Sequence, residues 1–597
     1  MRVLNEFSWK VAGEAGHGIL NAGLMFARTC MRGGLNVFAT AEYPSLIRGG
    51  HNHLDVRASE RKIHGHTKHV SLLVALNMDS VVKHSHKILQ GGGIIYDGNE
   101  LKLAEGSYPG IRLYPVPLLD IANRCGGMIM RNTVAMGATI ALADFDLELF
   151  NGVIRDNFGK KKGEDVAEKN IIAAKEGYDY VKKNFPDDFR FVLRAVENSK
   201  RIFISGNEAI AAGAVKAGCK FFAAYPMTPA SSILHAMAAQ ERNYNIVVKH
   251  TEDEIAAINM TVGAAFAGAR AMTATSGGGF ALMVEGFGLA AQAEVPLVVV
   301  EAQRPGPATG MATHSGQGDL RFVLHASTDE FPRVVIAPGD MEQCYYNTIE
   351  AFNLAEKYQI PVVVLTDKYL GESFISAEKF SNDAVIDRGL LLSDEELQQT
   401  EEFRRFKVTE SGVSPRSIPG QKGGEHTASS YEHDEHGFER EEEENRIAMH
   451  DKRFRKFENL KKEIKNPPII GNGYSDITIV SWGSTKGPIL DAIRMLEQDN
   501  IFASFLQVVY MSPFPSEQVE QALRLSRRTL IIENNKTSQL GSLIKEHTGL
   551  ETQHKLLKYD GRPFSPEQIY EAVKKIFEDD EKKTVHVKSA SDNYGKR

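Results

Sequence analysis

Residues 220–229 read KFFAAYPMTP. The run 220–225 has the aromatic and apolar content of a strand, and it ends on Tyr225-Pro226-Met227-Thr228-Pro229. Proline fixes φ near about −65° and biases the residue before it toward extended backbone. Thr228 is therefore held stiffly between Pro226 and Pro229, and a rigid hydroxyl at a strand end suits donation to a substrate oxygen. The same residues also read as a plain strand-to-helix connection, with Thr228 or Ser231 as the helix cap.

Further β-rich runs flank this one at 201–205, 246–249, 270–275, 296–301 and 360–365, each separated by a helical stretch. That alternation defines an α/β unit over 200–375 with a parallel sheet, in which ligands bind beyond the carboxyl ends of the strands. Chemistry-bearing residues follow several of these ends. Thr251-Glu-Asp-Glu254 fits the T-x-x-E capping box of the next helix, although a glutamate without a partner charge can instead face a heterocyclic nitrogen. Thr275-Ser276-Gly277-Gly278-Gly279 is a turn whose backbone N–H groups can meet an anion or a ring. Arg304, in the stretch QRPGPATG after the apolar strand 296–301, presents a planar fork of donors suited to a carboxylate; a surface arginine is the simpler alternative.

Residues 1–190 read as another α/β unit, expected to be a parallel sheet covered by helices, with strands at 7–12, 70–75, 93–96 and 112–116. Its first strand runs into Gly13-x-x-Gly16-x-Gly18, a turn able to approach a phosphate at a helix N-terminus. The spacing is not that of dinucleotide folds. Arg48, before Gly49 and Gly50, adds a candidate positive charge. Residues 376–466 are dominated by charged and small residues, with an unbroken acidic run at 441–444, and read as an extended connection or surface arm ending in a charged helix at 451–465. His426, His433 and His436 fall in this arm at a spacing that matches no common zinc pattern, so a solvated loop is expected there. A third α/β unit spans 470–580, and 581–597 is a polar tail.

Composition sets the remaining bounds. The chain has 597 residues, 42% hydrophobic and 25% charged, with a formal net charge of −7, so it carries no basic surplus for nucleic acid. The start lacks a signal-peptide pattern, and no stretch approaches the roughly 18 apolar residues of a membrane span; a cytoplasmic location is expected. The four cysteines, Cys30, Cys125, Cys219 and Cys344, form no CxxC pair, which points to buried free thiols and to no metal or iron–sulfur motif within the chain.

Taken in order, the motifs GxxGxG with RGG, GNEAIAAGAVKAG, YPMTPAS, EDEIAAINMTVGAAFAG, TSGGG, QRPGPATG, WGST, SPFP and IIENN resemble the α subunit of 2-oxoacid:ferredoxin oxidoreductases of the type with the γ unit fused to the front, and 2-oxoglutarate synthases in particular. The resemblance covers nearly the whole chain, including the stretch from Gly412 to Gly420 and Tyr431-Glu-His-Asp434. It implies three doubly wound α/β domains: a γ-type Rossmann-like domain, a thiamine diphosphate pyrimidine-binding domain and a transketolase C-terminal-like domain. It implies that Thr228 meets the substrate 2-oxo group, that Glu254 contacts the aminopyrimidine N1′, and that Arg304 grips the substrate carboxylate. Tyr225, Pro226, Ser276, Gly277 and Gly278 would line the cofactor, and Gly13, Gly16, Gly18 and Arg48 are candidates for an anion or coenzyme A. Two positions depart from the family: Met227 stands where isoleucine is usual, and TSGGG replaces a commoner SGPG.

The activity implied is oxidative decarboxylation of a 2-oxoacid to acyl-CoA and CO₂, with electrons passing to ferredoxin. No GDG occurs; Gly318-Asp319-Leu320 and Gly339-Asp340-Met341 break that pattern. The resemblance therefore implies a β subunit that shares the thiamine diphosphate and carries Mg²⁺ and a [4Fe-4S] cluster, in an αβ dimer or its double. Among substrates 2-oxoglutarate is favoured over pyruvate or a broad 2-oxoacid range. A noncatalytic scaffolding subunit, or a stand-alone nucleotide-dependent oxidoreductase built on the first glycine turn, is the alternative.

Overall fold

The computed structural model describes residues 2–46, 49–104, 106–185, 189–471, 475–578 and 584–586. Arg48 and most of the 581–597 tail lie outside the described residues. The chain divides into a first unit, Met1–Ile204 with Ser373–Lys379 and Ser565–Glu567, and a second unit that takes the remainder.

The first unit holds an eight-stranded sheet in the order Arg112–Val116, Ile88–Asp97, Val70–Ala75, Glu6–Glu14, His51–Ser59, Asn36–Glu42, Phe374–Ala377, Ile202–Ser205. Only part of it is parallel. Glu6–Glu14 pairs antiparallel with His51–Ser59, which pairs antiparallel with Asn36–Glu42, which pairs antiparallel with Phe374–Ala377. The expectation of a parallel sheet is corrected accordingly: the connection between Asn36–Glu42 and His51–Ser59 is too short for the crossover that parallel strands require. Ile202–Ser205, the first of the runs assigned to the second sheet, joins this one instead. One face is covered by helices Arg131–Leu142 and Glu164–Asn184, which approach until backbone meets backbone. A Cβ at Gly137 would sit 1.9 Å from the Ala174 carbonyl oxygen, and one at Gly177 2.2 Å from that of Val134. Trp9, fully buried with its ring 4.7 Å from that of Phe26, donates its indole N–H to Thr139 Oγ1 at 3.3 Å.

The second unit contains two sheets. The larger runs Val247–His250, Phe221–Ala224, Ala271–Thr275, Leu297–Gln303, Pro361–Asp367, Val334–Ile336, Tyr510–Ser512, parallel except for the last strand. Leu297–Gln303 and Pro361–Asp367 are buried along their whole length, as expected of central parallel strands covered on both faces. Strand order reverses beside Phe221–Ala224: the next strand lies to one side of it and the one after that to the other. The crevice at such a switch point is the usual ligand position of an open parallel sheet. The second sheet runs Ile469–Ile470, Ala503–Gln507, Ile477–Ser481, Thr529–Glu533, His554–Leu557, Thr584–His586.

The polar region 376–466 is largely exposed from 378 to 404, but parts of it are drawn into the core. Its helix, Glu443–Lys461, buries Lys452 and Lys456 completely, and both pair with the buried Glu294, Lys452 Nζ at 2.5 Å. Arg405 donates to the Gln359 side chain at 2.9 Å and to the Glu294 carbonyl oxygen at 2.7 Å. Arg416 and Arg388 converge on the buried Glu356. Burial alone would raise the Glu294 carboxyl, but Lys452, Lys456 and Arg405 hold it well below the usual carboxylate range. Of the three histidines noted in this region, His436 keeps a side chain 39% exposed, whereas His433 and His426 are drawn inward. His433 is buried with its ring 4.0 Å from that of Phe406, and its Nδ1 and that of His426 face the carbonyl oxygens of Tyr431 and Gly424 at 3.0 Å each.

Candidate functional site

The carboxyl ends of four adjacent strands of the seven-stranded sheet lead into one group of side chains. Phe221–Ala224 delivers Tyr225 to Pro229; Val247–His250 leads to Glu254; Ala271–Thr275 ends at Ser276 and Gly277; Leu297–Gln303 ends next to Arg304. Parallel pairing puts all four ends at the same edge of the sheet, so residues far apart in sequence meet without any local motif.

Thr228 is fixed by its neighbours rather than by a cap. The Thr228–Pro229 bond is cis, Pro229 accepts from Asn207 Nδ2 at 2.8 Å, and helix Ser231–Tyr244 starts at Ala230 with no side-chain cap. The capping alternative for Thr228 and Ser231 is thereby set aside. Arg304 Nη1 donates to the Thr228 carbonyl oxygen at 2.6 Å, so the guanidinium is held beside the proline-bracketed turn while its buried Nε keeps no partner. Tyr225 is exposed and Pro226 half-buried at the start of that turn.

Glu254 opens helix Glu254–Phe266, yet it does not complete a capping box. Asp253 is the N-cap and accepts from the Ala256 N–H at 2.7 Å, while Thr251 donates to the Asp253 carbonyl at 2.8 Å. The Glu254 carboxyl is thus released from helix capping; it is 3% exposed, and its Oε1 has no hydrogen-bond partner. Burial, together with Asp253, raises its pKa against the attraction of Arg304. A buried polar atom left unsatisfied costs about 1–3 kcal/mol, so it is retained where a ligand supplies the partner.

That oxygen faces the first turn of helix Gly277–Gln292. A Cβ at Gly279 would lie 2.5 Å from Glu254 Oε1, and one at Gly277 would lie 2.5 Å from Asp319 Oδ2. Any side chain at either position would displace a carboxylate, which explains why the turn is glycine there. Gly278 faces open space, with the Ala308 carbonyl 4.0 Å from an added Cβ. The hydroxyl of Ser276, the N-cap, is buried, makes no cap bond and has no partner. Thr275 Oγ1 lies 3.9 Å from Met227 Sδ, so the methionine packs against this wall.

Two acids that the sequence reading did not single out stand behind Arg304. Glu301 and Asp319 are coupled to each other and to the guanidinium, and burial pushes both carboxyls up, Glu301 well above its ordinary value. The signal for Glu301 was available: it is the only charge in an otherwise apolar strand. Asp319 was noticed only because Gly318-Asp319-Leu320 is not a GDG. The loop between Arg304 and Asp319 is pinned by the other sheet of the unit. Gln317 Nε2 donates to the Trp482 carbonyl at 2.9 Å, Asn534 N–H to Gln317 Oε1 at 2.9 Å, and Asn535 Nδ2 to the Gln317 carbonyl at 3.0 Å. The WGST and IIENN motifs therefore brace the arginine loop.

Gly13, Gly16 and Gly18 lie in the first unit, where Gly16 and Gly18 have φ of 91° and 69° and Gly18 begins helix Ile19–Arg32. No side chain caps that helix, and His17 N–H is already bonded to the Glu14 carbonyl at 3.2 Å. Cys30, Cys219 and Cys344 are buried free thiols, and Cys125 is half-buried.

Comparison with known proteins identifies the family. Residues 8–180 match the family described as pyruvate ferredoxin/flavodoxin oxidoreductase, 212–452 its thiamine diphosphate-binding domain, and 475–569 core domain II of pyruvate:ferredoxin oxidoreductase. The α subunit of the 2-oxoacid:ferredoxin oxidoreductase of Saccharolobus solfataricus is 30% identical across 97% of this chain and 99% of its own length. The chain belongs to the 2-oxoacid:ferredoxin oxidoreductases, as an α subunit. The corresponding subunit from a Sulfolobus species is 32% identical over 97% of this chain and 98% of its own. The KorA subunit of the 2-oxoglutarate synthase of Methanothermobacter thermautotrophicus is 32% identical over 63% of this chain and 99% of its own. Among solved structures, the 2-oxoglutarate:ferredoxin oxidoreductase of Magnetococcus marinus, with 2-oxoglutarate, coenzyme A and succinyl-CoA bound, superposes with a TM-score of 0.89 at 32% identity, covering 96% of this chain and 99% of that one. This oxidoreductase subunit is an α/β protein with a thiamine diphosphate-binding domain, and the site residues of its second unit fall in that domain.

Proposed function

We propose that this α subunit oxidatively decarboxylates a 2-oxoacid, 2-oxoglutarate by preference, to an acyl-CoA and CO₂, with a β subunit passing the electrons to ferredoxin. The observation that carries the reading is the buried, unpartnered Glu254 carboxyl oxygen above the Gly277–Gly279 turn, beside an arginine bonded to Thr228. The residues fit the aminopyrimidine end of thiamine diphosphate: an acid of raised pKa for a ring nitrogen, unsubstituted backbone for close approach, and a free Ser276 hydroxyl. When bound, the cofactor supplies the nucleophilic carbon and the electron sink that decarboxylation needs.

The protein's own part is positioning and proton handling. Glu254 holds a proton at the pyrimidine N1′, which its raised pKa favours. Tyr225, Pro226, Ser276, Gly277 and Gly278 line that ring. Thr228 donates its hydroxyl to the 2-oxo oxygen, and the remaining donors of Arg304 grip the substrate carboxylate. Glu301 and Asp319 keep the guanidinium from turning away. Gly13, Gly16 and Gly18 with Arg48 serve an anion, of which coenzyme A is the one this chemistry requires. Mg²⁺ and a [4Fe-4S] cluster belong to the β subunit. No described helix is long and apolar enough to cross a membrane, and the working location is the cytoplasm.

The preference for 2-oxoglutarate rests on the 2-oxoglutarate synthases and the Magnetococcus enzyme among the relatives. The test is ferredoxin reduction by the co-expressed αβ complex with 2-oxoglutarate, pyruvate or 2-oxobutyrate, each with coenzyme A. A higher kcat/KM for 2-oxoglutarate is expected; a preference for pyruvate would overturn the substrate assignment, and no turnover with any of them would overturn the activity.

A further inference from the structure

Within the first unit, three histidines gather beside the strand end that carries Gly13: His51 and His53 are the register partners of Glu14 and Ala12. His51 and His53 lie two apart on strand His51–Ser59, so the twofold period of the strand points both to the same face. His84 closes helix Met78–His84 and comes over that face. A ring nitrogen of each lies within 4.8 Å of a ring nitrogen of the other two. The rings are close as well: 4.9 Å between the centroids of His51 and His84, 4.8 Å between those of His53 and His84.

The hydrogen bonding is that of an incomplete site. His51 Nε2 and His84 Nε2 are 2.7 Å apart, two nitrogens sharing one proton. Nδ1 of His53 and Nδ1 of His84 are buried with no partner. Around the outside stand carboxylates. Asp79 Oδ2 is 3.2 Å from His51 Nδ1, and Asp55 Oδ2 is 3.4 Å from His53 Nε2. An outer carboxylate that takes one imidazole N–H leaves the opposite nitrogen as a lone pair aimed inward, which is how metal-binding histidines are usually oriented.

We propose that His51, His53 and His84 bind one zinc-type divalent transition-metal ion, through His51 Nε2, His84 Nε2 and His53 Nδ1. Three imidazoles with a fourth position left to water make a ligand set for zinc or a neighbouring first-row ion rather than for magnesium or calcium, which take oxygen. The charges nearby permit it. Lys10, Lys83 and Lys87 are the adverse charges; Lys10 pairs with Asp55 at 2.5 Å and Lys83 with Asp79 at 2.7 Å. Burial lowers all three imidazoles, His51 to about 4, with His53 and Lys83 adding to the effect there. Bound metal clips strand His51–Ser59 to helix Met78–His84.

The test uses the untagged full-length chain, stripped with a chelator and titrated with cobalt(II) chloride and then zinc chloride. One equivalent of cobalt with the strong visible absorption of a four-coordinate site, displaced by zinc, is expected. Asp79→Asn, which removes an outer carboxylate, weakens zinc binding about 10–100-fold, and H51N/H53N weakens it further. Absence of saturable binding by the wild-type chain, or unchanged affinity in a folded H51N/H53N variant, overturns the proposal. X-ray absorption of the zinc-loaded wild-type chain gives a reading independent of how that variant folds. A first shell with imidazole scattering from three nitrogens supports the site, and a shell of sulfur or of oxygen alone overturns it.

Discussion

Glu254 and Glu301 are both buried acids of raised pKa within one strand-end cluster, yet their surroundings assign them different work. Glu254 faces the glycine turn with an oxygen left free, so its proton is available to a ligand. Replacing it with glutamine keeps the shape and removes the proton exchange. Glu254→Gln in the αβ complex is expected to lower kcat about 10²–10⁴-fold, the usual worth of a positioned acid or base, with KM for the 2-oxoacid little changed. Steady-state ferredoxin reduction measures it, and near-normal turnover would favour a scaffolding subunit. Glu301 is fully buried behind Arg304 with both carboxyl oxygens unpartnered; besides holding the guanidinium in place, its ionisation is read in stability. Burial, with Asp319 and Asp367, raises its folded-state value well above 4.5. The stability this group contributes is fully present below its unfolded pKa and is lost as pH rises through the raised folded one. Glu301→Gln removes that loss. The thermal stability of the variant should therefore gain on wild type as pH increases from about 4.5 toward 8, by more than the roughly 0.5 kcal/mol scatter of neutral substitutions. Parallel melting curves against pH would refute this if the difference stayed constant.

At the scale of elements, the lysines of helix Glu443–Lys461 show what a polar sequence can conceal. Lys452 and Glu294 are 158 residues apart, and Lys456 and Glu294 are 162 apart. Removing one partner of a buried ion pair leaves a charge unpaired at a cost of about 3–5 kcal/mol, whereas replacing all partners with apolar groups can be neutral. Glu294→Gln is accordingly expected to destabilise by about that amount, and the triple variant E294L/K452M/K456M by much less; denaturant unfolding separates them, and equal losses would show that the pairs are not what holds the helix. This clamp also marks where sequence reading reached its limit. Five of the six parallel strands of the larger sheet were legible because each is an apolar run, whereas the three-residue Val334–Ile336 was too short to stand out; Thr228, Glu254, Ser276 and Arg304 drew notice because each follows such a run. The capping box at Thr251 was a local pattern that Asp253 outcompeted. The antiparallel half of the first sheet was missed because Asn36–Glu42 and His51–Ser59 mix polar with apolar residues. The burial of the charged arm depends on partners from 32 to 162 residues away, and His84 lies 33 residues from His51; no local pattern reports either.

For the whole molecule, electron balance decides what the chain can do alone. Oxidative decarboxylation of a 2-oxoacid releases two electrons for each acyl group formed, and ferredoxins accept them one at a time. A carrier must therefore lie between the site and the ferredoxin. Among protein ligands an iron–sulfur cluster needs clustered thiolates, but Cys30, Cys219 and Cys344 are buried and Cys125 half-buried, and all four are free and separated by more than about 90 residues. Their thiols are also the wrong kind: burial raises the pKa of each, that of Cys219 to about 12, which disfavours the thiolate that binds iron. The purified α chain, supplied with thiamine diphosphate, magnesium, coenzyme A and 2-oxoglutarate, is thus expected to leave ferredoxin oxidised. Addition of the β subunit should restore reduction in proportion to the complex formed, saturating at one β per α. Anaerobic absorbance of ferredoxin during such a titration follows both arms. Reduction by the α chain alone would mean that electrons leave by a route these cysteines do not provide, and the assignment of the cluster to the partner would fall with it.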